Sequence, residues 1–519
     1  MQDVISLDTR AGRGGRLRRI VARSRALAPT RAEALLAAAT TLLLTLSFPD
    51  FDLWPLAWVA LAPLAVAVVR APVVRPAKAF LLGWAFGAVF FYATCYWLTH
   101  AFIHYGGIPA ALAYVLLAPG PAVVALFPAL WAWSLARLAA RRGAGLALLC
   151  APFLWAALAV ACVVALGWLT NDVRGAERPS ALVVGVQPDV PVDYERRYDV
   201  IESLMERHLS LGAGALREWE GAGGGAEVES VSDSARLDSG AQTGARADVS
   251  RLPRVIVWPE SPMNFHYSRD AGLRATVAEV ARENHASVIF NAMEPAPSGG
   301  IYNSAVMVNE EGRLVAQYDK IRLLPFGEYV PVPRWLPAVW FLNGVVGDFT
   351  PGSEYPLMPL GDARAGVFIC FESAFPSIAQ RFADEGADVL VNISNDGYLG
   401  RTPVIRQHLA NVVFRAVETG RPVVRVTNTG VSAFVTPRGE VRDATAPFET
   451  AARAWAVGRA GGGKTFYTRQ GDLFALLCAC VGAVGVISTF NFGRAARRSP
   501  NPNAARVGRR RKNKRRSFR

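Results

Sequence analysis

Six stretches without Lys, Arg, Asp or Glu, residues 34–48, 53–69, 80–101, 110–135, 146–169 and 473–490, limit what this chain can fold into more than any other feature. Most approach the roughly 20 apolar residues that a helix needs to cross the hydrocarbon core of a bilayer. Soluble enzymes rarely contain so many. A hydrophobic share of 52% over 519 residues agrees with a protein that lives partly in lipid. The first two stretches are short, which predicts a hairpin joined at "PDFD", and Pro119, Pro121 and Pro128 should kink the fourth.

Arginine sets the orientation. Arg10, Arg13, Arg16, Arg18, Arg19, Arg23, Arg25 and Arg31 precede the first stretch, and positive charge beside a span stays on the cytoplasmic side. The second stretch ends at "RAPVVRPAK" and the fourth at "ARLAARR", whereas the alternate connections "PDFD" and "HAFIHYGGIP" carry neither Arg nor Lys. Five crossings then leave residues 170–472 outside, and the sixth brings back the tail "RRRKNKRRSFR". Both termini are expected in the cytoplasm. These flanks account for most of the net charge of +14. A basic tail also fits nucleic-acid binding, and a first apolar run fits a cleaved signal peptide. The basic leader is too long for an ordinary signal sequence and further spans follow, so the expectation is a membrane anchor with no nucleic-acid partner. The expected organisation is a basic leader over 1–32, a membrane domain of about five spans over 33–169, an exported α/β domain over 180–457, a last span over 473–492 and a basic tail over 493–519. Residues 212–252, rich in Gly, Ala, Ser and charge, read as a disordered insertion.

Five of the six cysteines, Cys95, Cys150, Cys162, Cys478 and Cys480, fall in predicted spans, and Cys370 alone lies in the exported domain. It closes "GVFIC", a run suited to a buried strand, and the following "FESAF" turns away from it. Two readings fit a lone thiol in an oxidising compartment: a small core residue or a nucleophile. Lysine usage is also uneven. Of the 56 Lys and Arg residues only Lys78, Lys320, Lys464, Lys512 and Lys514 are lysines, and Lys320 stands alone between residues 79 and 463. It is either a chance survivor of a bias to Arg or a position that requires a compact ammonium able to face a developing oxyanion. Glu260 ends the strand-like "VIVWPESP", where Pro259 stops the ladder. A carboxylate there is a solvated loop charge or a base for a nearby thiol.

In this order and these contexts, Glu260, Lys320 and Cys370 resemble the Glu-Lys-Cys triad of the nitrilase superfamily. Membrane spans before and after such a domain narrow the likeness to the apolipoprotein N-acyltransferases of the bacterial inner membrane. The resemblance covers most of the chain: "FGAVFFYATCYWL" with "HYGGIP", "PFGEYVP" at 325–331, the C-F-E after a strand, and "ISNDGYLG" through "RPVVRVTNTGVSAF". It implies Glu260 as general base, Lys320 as oxyanion stabiliser and Cys370 as nucleophile, with Glu328 and Glu372 as supporting acids. It also implies a four-layer α-β-β-α sandwich attached to a multi-span membrane domain, the active face on the periplasmic side. The implied reaction moves a fatty acyl chain from a phospholipid, through a thioester, to the N-terminal amine of diacylglyceryl-modified apolipoproteins, with no cofactor or metal. The sequence departs from the family pattern at Phe371, commonly Tyr, at Tyr398-Leu399, commonly Trp-Phe, and in having five spans before the domain rather than seven.

The aromatic stretch holding Phe326, Tyr329, Trp335, Trp340, Phe341 and Phe349 is either core or a surface for acyl chains; Phe326, Phe341 and Tyr398 are the candidate substrate contacts. The histidines form no metal motif, and His408, on a predicted helix, reads as a packed or capping residue, with a Cys-His dyad with Cys370 as the other reading. A membrane-tethered amidase using the same three residues and releasing acid to water is the alternative activity, and a non-enzymatic membrane scaffold is the third reading.

Overall fold

The computed structural model describes residues 27–49, 51–70, 76–144, 179–192, 198–221, 252–260, 265–331 and 347–496. The chain divides into two compact units. One comprises residues 1–94, 116–169 and 472–519, the other residues 95–115 and 170–471.

The first unit is helical. Its helices include Arg31–Ser47, Ala62–Arg70, Pro76–Cys95 and Leu126–Arg142, and Leu473–Ala496 follows the second unit. Helix Arg31–Ser47 starts where it does because Thr30 caps it: the Thr30 hydroxyl accepts from Glu33 N, and the Glu33 carboxylate accepts from Thr30 N at 2.7 Å. Gly83 and Gly87, one turn apart, let Pro76–Cys95 approach Leu126–Arg142 closely. A Cβ on Gly83 would come within 2.5 Å of the Pro128 carbonyl, and one on Gly87 within 2.5 Å of the Pro128 ring. Leu64, Val68, Leu82, Phe86, Phe90 and Leu135 form the core of this unit, while Val89, Val123, Phe127, Val481 and Val484 remain exposed on its outside.

Among the described residues, two helical segments, Pro76–Cys95 and Ala110–Arg141, are long and apolar enough to cross a membrane. The expected second span is a 3-10 turn, Trp54–Trp58, followed by the short helix Ala62–Arg70. The expected third span ends at Cys95, and the chain restarts as the helix Leu98–His104. In the fourth, helical segments end at Leu117 and Val124 and resume at Pro119 and Leu126, since prolines withdraw N–H donors from the ladder. The fifth stretch lies outside the described residues.

Among the described residues, twelve strands build the second unit. In chain order they are β1 (Pro179–Gln187), β2 (Arg254–Val257), β3 (Ala286–Pro295), β4 (Ile301–Val308), β5 (Leu314–Asp319), β6 (Leu357–Leu360), β7 (Ala363–Ile369), β8 (Val389–Ser394), β9 (Val423–Thr427), β10 (Ala433–Val435), β11 (Val441–Arg442) and β12 (Ala451–Gly458). They form two six-stranded sheets, β12-β1-β2-β3-β4-β5 and β11-β10-β9-β8-β7-β6. The centres, β1-β2-β3 and β7-β8-β9, are parallel, and every flanking pair is antiparallel.

Alternation along the strands explains the layering. Ala181, Val183, Val255, Val257 and Ile289 face the second sheet and join Val367, Ile369, Val391, Ile393 and Val424 in one core. Their neighbours Leu182, Val184, Ile256, Val288 and Phe290 face the other way, against Leu209, Leu216 and Trp219 of the helix Tyr198–Gly221 and Leu273 and Val277 of Ala271–Glu283. Ile378 and Phe382 of Pro376–Asp384, with Val412 and Ala416 of Val404–Thr419, cover the second sheet. Each large apolar side chain so buried contributes about 1.5–3 kcal/mol. Gly366 in β7 permits the close approach of Pro376–Asp384, because a Cβ there would lie 2.6 Å from Phe382 Cβ.

Helix Tyr198–Gly221 runs through residues 212–221, which the sequence read as the start of a disordered insertion. Leu216 and Trp219 anchor it on the sheet, although Gly and Ala dominate the composition around them. The remainder of that insertion, 222–251, lies outside the described residues.

Candidate active site

Glu260, Lys320, Cys370 and Asn395 each stand just past the C-terminal end of a strand: β2, β5, β7 and β8 respectively. Strands β2 and β5 run in the same direction, because β2 is parallel to β3 and two antiparallel steps lead from β3 to β5. Strands β7 and β8 are parallel to each other. Strand direction therefore collects these side chains at strand ends, where α/β sheets commonly carry ligands.

Lys320 is almost fully buried, at 1% exposure. Its Nζ lies 2.8 Å from Glu328 Oε1 and 3.6 Å from Glu260 Oε1. Burial alone would lower the pKa of an ammonium, but the Glu328 and Glu260 carboxylates outweigh it and hold Lys320 above the ordinary lysine value. The backbone fixes it as well: Lys320 N donates to Asn303 O and its carbonyl accepts from Gly352 N. The "PFGEYVP" segment is a tight turn. Glu328 N donates to Leu324 O at 2.8 Å, and Leu324 N donates back to Glu328 Oε2 at 2.6 Å. That closure aims the other Glu328 oxygen at Lys320.

Asn303 bridges the two acids, donating to Glu260 Oε1 at 3.1 Å and to Glu328 Oε1 at 2.8 Å; Asn291 supports it by donating to Asn303 Oδ1 at 2.7 Å. Asn395 N donates to the second oxygen of Glu260 at 3.1 Å. One sheet supplies Glu260 while the other steadies it.

Cys370 has φ of 52°, in the left-handed region, at the junction of β7 and the 3-10 turn Cys370–Ala374. Such a backbone costs a non-glycine residue on the order of 1–3 kcal/mol and points its side chain out of the strand direction. The residue is partly buried. Burial and the charge of Glu260 push the thiol pKa up, while Lys320 and a hydrogen bond from Ser394 pull the other way; the net direction is upward, so the resting sulfur is protonated.

Glu372 ties this turn to the Lys320 loop. It is fully buried and accepts from Tyr318 Oη at 2.7 Å, Ile321 N at 2.8 Å, Arg322 N at 3.0 Å and Ile369 N at 2.8 Å. Burial raises its pKa in spite of these donors. Phe326, with φ of 62°, is 52% exposed beside Glu328. Tyr398 packs edge-on against Tyr105, ring centres 5.4 Å apart, and Tyr105 Oη donates to Gly397 O at 3.1 Å. Phe341, with Trp335 and Trp340, lies outside the described residues.

Sequence reading missed Asn291, Asn303, Asp396 and Arg425. Asp396 and Arg425 form a buried ion pair at 2.9 Å. Burial raises the pKa of Asp396, but Arg425 and His408 outweigh it and hold the carboxyl well below the usual range. The available signal was polar residues inside apolar strands, as in "YNSAVMV" and "VVRVT". Among the described residues, no group of three or more His, Cys, Asp and Glu side chains could hold a metal.

The two-sheet α/β unit that carries these residues matches the carbon-nitrogen hydrolase family model over residues 251–452. The apolipoprotein N-acyltransferase N-terminal domain matches residues 40–185. An apolipoprotein N-acyltransferase of Geobacter metallireducens is 31% identical over 509 residues, covering 89% of this chain and 96% of the relative. One from Pseudomonas putida is 30% identical over 463 residues, covering 80% and 88%. The chain belongs to the apolipoprotein N-acyltransferase family. An amidase from Nesterenkonia sp. AN1 is a more distant solved structure, at 16% identity and a TM-score of 0.36, covering 55% of this chain and 92% of its own.

Proposed function

We propose that this enzyme carries a fatty acyl group from a phospholipid to the N-terminal amine of diacylglyceryl-modified apolipoproteins, through a thioester on Cys370. Glu260 takes the thiol proton as sulfur attacks the ester carbonyl, and Lys320 faces the oxyanion of the tetrahedral intermediate. The carbon-oxygen bond to glycerol then breaks, and Glu260 returns the proton to the departing lysophospholipid hydroxyl. In the second half the amine attacks the thioester, Glu260 accepts its proton, and the thiol is regenerated as the amide forms. Glu328 supports Lys320, and Glu372 supports the Cys370 turn. A thioester retains enough reactivity to form an amide without ATP.

The observation that carries this reading is the cluster itself: Glu260, Lys320 and Glu328 linked within 3.6 Å, in a field that acts on the Cys370 proton. A neutral resting thiol suits a mechanism in which the base acts during attack. Family membership supports the substrate class.

The same reading makes this a multi-span protein of the bacterial inner membrane, with both termini cytoplasmic and the domain over 180–457 on the periplasmic face. Two long apolar helices, the outward apolar side chains and the arginine asymmetry support it. Exposed Phe326, with Tyr398 and Phe341, would meet the acyl chains. The deciding experiment is mass spectrometry of the purified protein after incubation with a defined phospholipid. One acyl chain on Cys370, discharged by a diacylated lipopeptide to an N-acyl product, is expected; release of free fatty acid alone would instead indicate a hydrolase.

A further inference from the structure

His408 touches the backbone of the candidate nucleophile. It is buried on the helix Val404–Thr419, with Nε2 3.0 Å from the Cys370 carbonyl oxygen and Nδ1 2.8 Å from Asp396 Oδ1. Neither oxygen can donate. One is an amide carbonyl, and the other belongs to a carboxylate that Arg425 keeps ionised from 2.9 Å. A carbonyl can only accept, so the hydrogen bond at this position is donated by Nε2–H of the imidazole to Cys370.

What the ring holds is the left-handed residue. Cys370 is the residue with positive φ in the turn between β7 and the following helix, and its carbonyl orientation is coupled to that φ. The other side chain that reaches the same carbonyl is Asn392, at a longer 3.5 Å. Behind the ring, Asp396 also accepts from Ser394 Oγ at 3.0 Å, and Arg425 bonds Asn392, so the support runs from His408 into the middle of the second sheet.

We propose that His408 is a positioning residue for Cys370: donating from a ring locked by Asp396 and Arg425, it fixes the carbonyl and hence the left-handed turn that presents the thiol. The proposal rests on Cys370 being the nucleophile. It predicts an effect on the rate of acylation without one on lipid binding, since no part of His408 needs to meet the lipid.

The test uses full-length protein in detergent micelles with dipalmitoyl phosphatidylethanolamine as the probe, following acyl-Cys370 by quenched mass spectrometry. His408→Asn places its amide near the Nδ1 position, keeping Asp396 but leaving the Cys370 carbonyl with only the long 3.5 Å contact from Asn392. His408→Gln reaches the Nε2 position and restores the closer donor. The Asn variant should acylate about 100-fold more slowly with unchanged KM for the lipid, the scale expected of a misplaced nucleophile. The Gln variant should stay within about fivefold of wild type, the loss of one ordinary hydrogen bond. Wild-type rates for the Asn variant would overturn the proposal. So would equal slowing of both variants in step with equal losses of thermal stability, because that is the behaviour of a packing residue. If wild type forms no adduct, the nucleophile reading itself fails and this proposal with it; a normal wild-type adduct confines any failure to His408.

Discussion

Lys320 Nζ sits 2.8 Å from Glu328 Oε1, with both side chains buried, closer than its 3.6 Å separation from Glu260. Glu328 thus supplies the main counter-charge, and Glu260, held by Asn303 and Asn395 N at one hydrogen bond per oxygen, keeps acceptor capacity that the ammonium does not use. Glu328→Gln should release Lys320 to pair with Glu260 and so occupy the base. Single-turnover acylation of Cys370 should fall about 100-fold, within the span attributed to a general base, while the protein still folds. Unchanged acylation would show that Glu260 does not depend on this division of charge.

Lys320→Arg is not conservative here. The planar guanidinium needs more room than a site with 1% exposure offers, and it would engage Glu328 in a two-point pair directed away from the substrate. Acyl transfer should drop roughly 100- to 1,000-fold, the cost of losing one oxyanion donor. A steady-state assay with a fluorescent lipopeptide measures it, and activity near wild type would remove Lys320 from that role.

Thiol labelling gives a prediction with opposite signs. Burial and the Glu260 charge hold the Cys370 pKa above its ordinary value. Iodoacetamide should therefore label Cys370 slowly at neutral pH, with labelling rising only above the ordinary cysteine value of about 8.5. Glu260→Gln removes a negative charge that favours the protonated thiol, so the labelling profile should move to lower pH even as acyl transfer collapses. Labelling and activity that fall together in this variant would contradict the assignment of Glu260 as base.

Asp396 and Arg425 predict a stability effect. Removing one partner leaves the other charged and buried, which costs about 3–5 kcal/mol, so Asp396→Ala should lower the thermal midpoint in detergent markedly. The folded pKa of Asp396 is depressed. Its contribution is therefore present above the unfolded value of about 4 and is lost as pH falls through the folded value. Wild type should lose this stability on the acid side, and Asp396→Asn should lack that part of the acid dependence. An unaltered acid limb in Asp396→Asn would show that the carboxylate is not the linked group.

Much of the α/β unit was readable in advance. The runs "LVVGVQ", "VIVW", "SVIFNAM", "SAVMVN", "GVFIC", "DVLVNIS" and "PVVRVTN" coincide with β1, β2, β3, β4, β7, β8 and β9. Strands buried on both faces must be apolar at nearly every position, which leaves a strong local signal. Strand β5, "LVAQYD", lies at a sheet edge with its first two residues exposed, and β12 carries a charge within "AARAWAVG", so neither stood out. The helix over residues 212–221 was hidden for a related reason: two anchors, Leu216 and Trp219, suffice to dock it among small residues.

By itself the sequence determined the chemical types: a single thiol between residues 170 and 472, an isolated lysine among arginines, and acids in turns that end strands. It also set the apolar segments and the charge that flanks them. Only tertiary structure decided the pairing of Lys320 with Glu328, the Asn303 bridge between the two acids, and the contact of His408 with the Cys370 carbonyl. The physical reason is distance along the chain. Hydrophobic periodicity reports which way a residue faces within its own strand or helix, whereas these hydrogen bonds join residues from 8 to 43 positions apart, brought together by strand order and the meeting of two sheets.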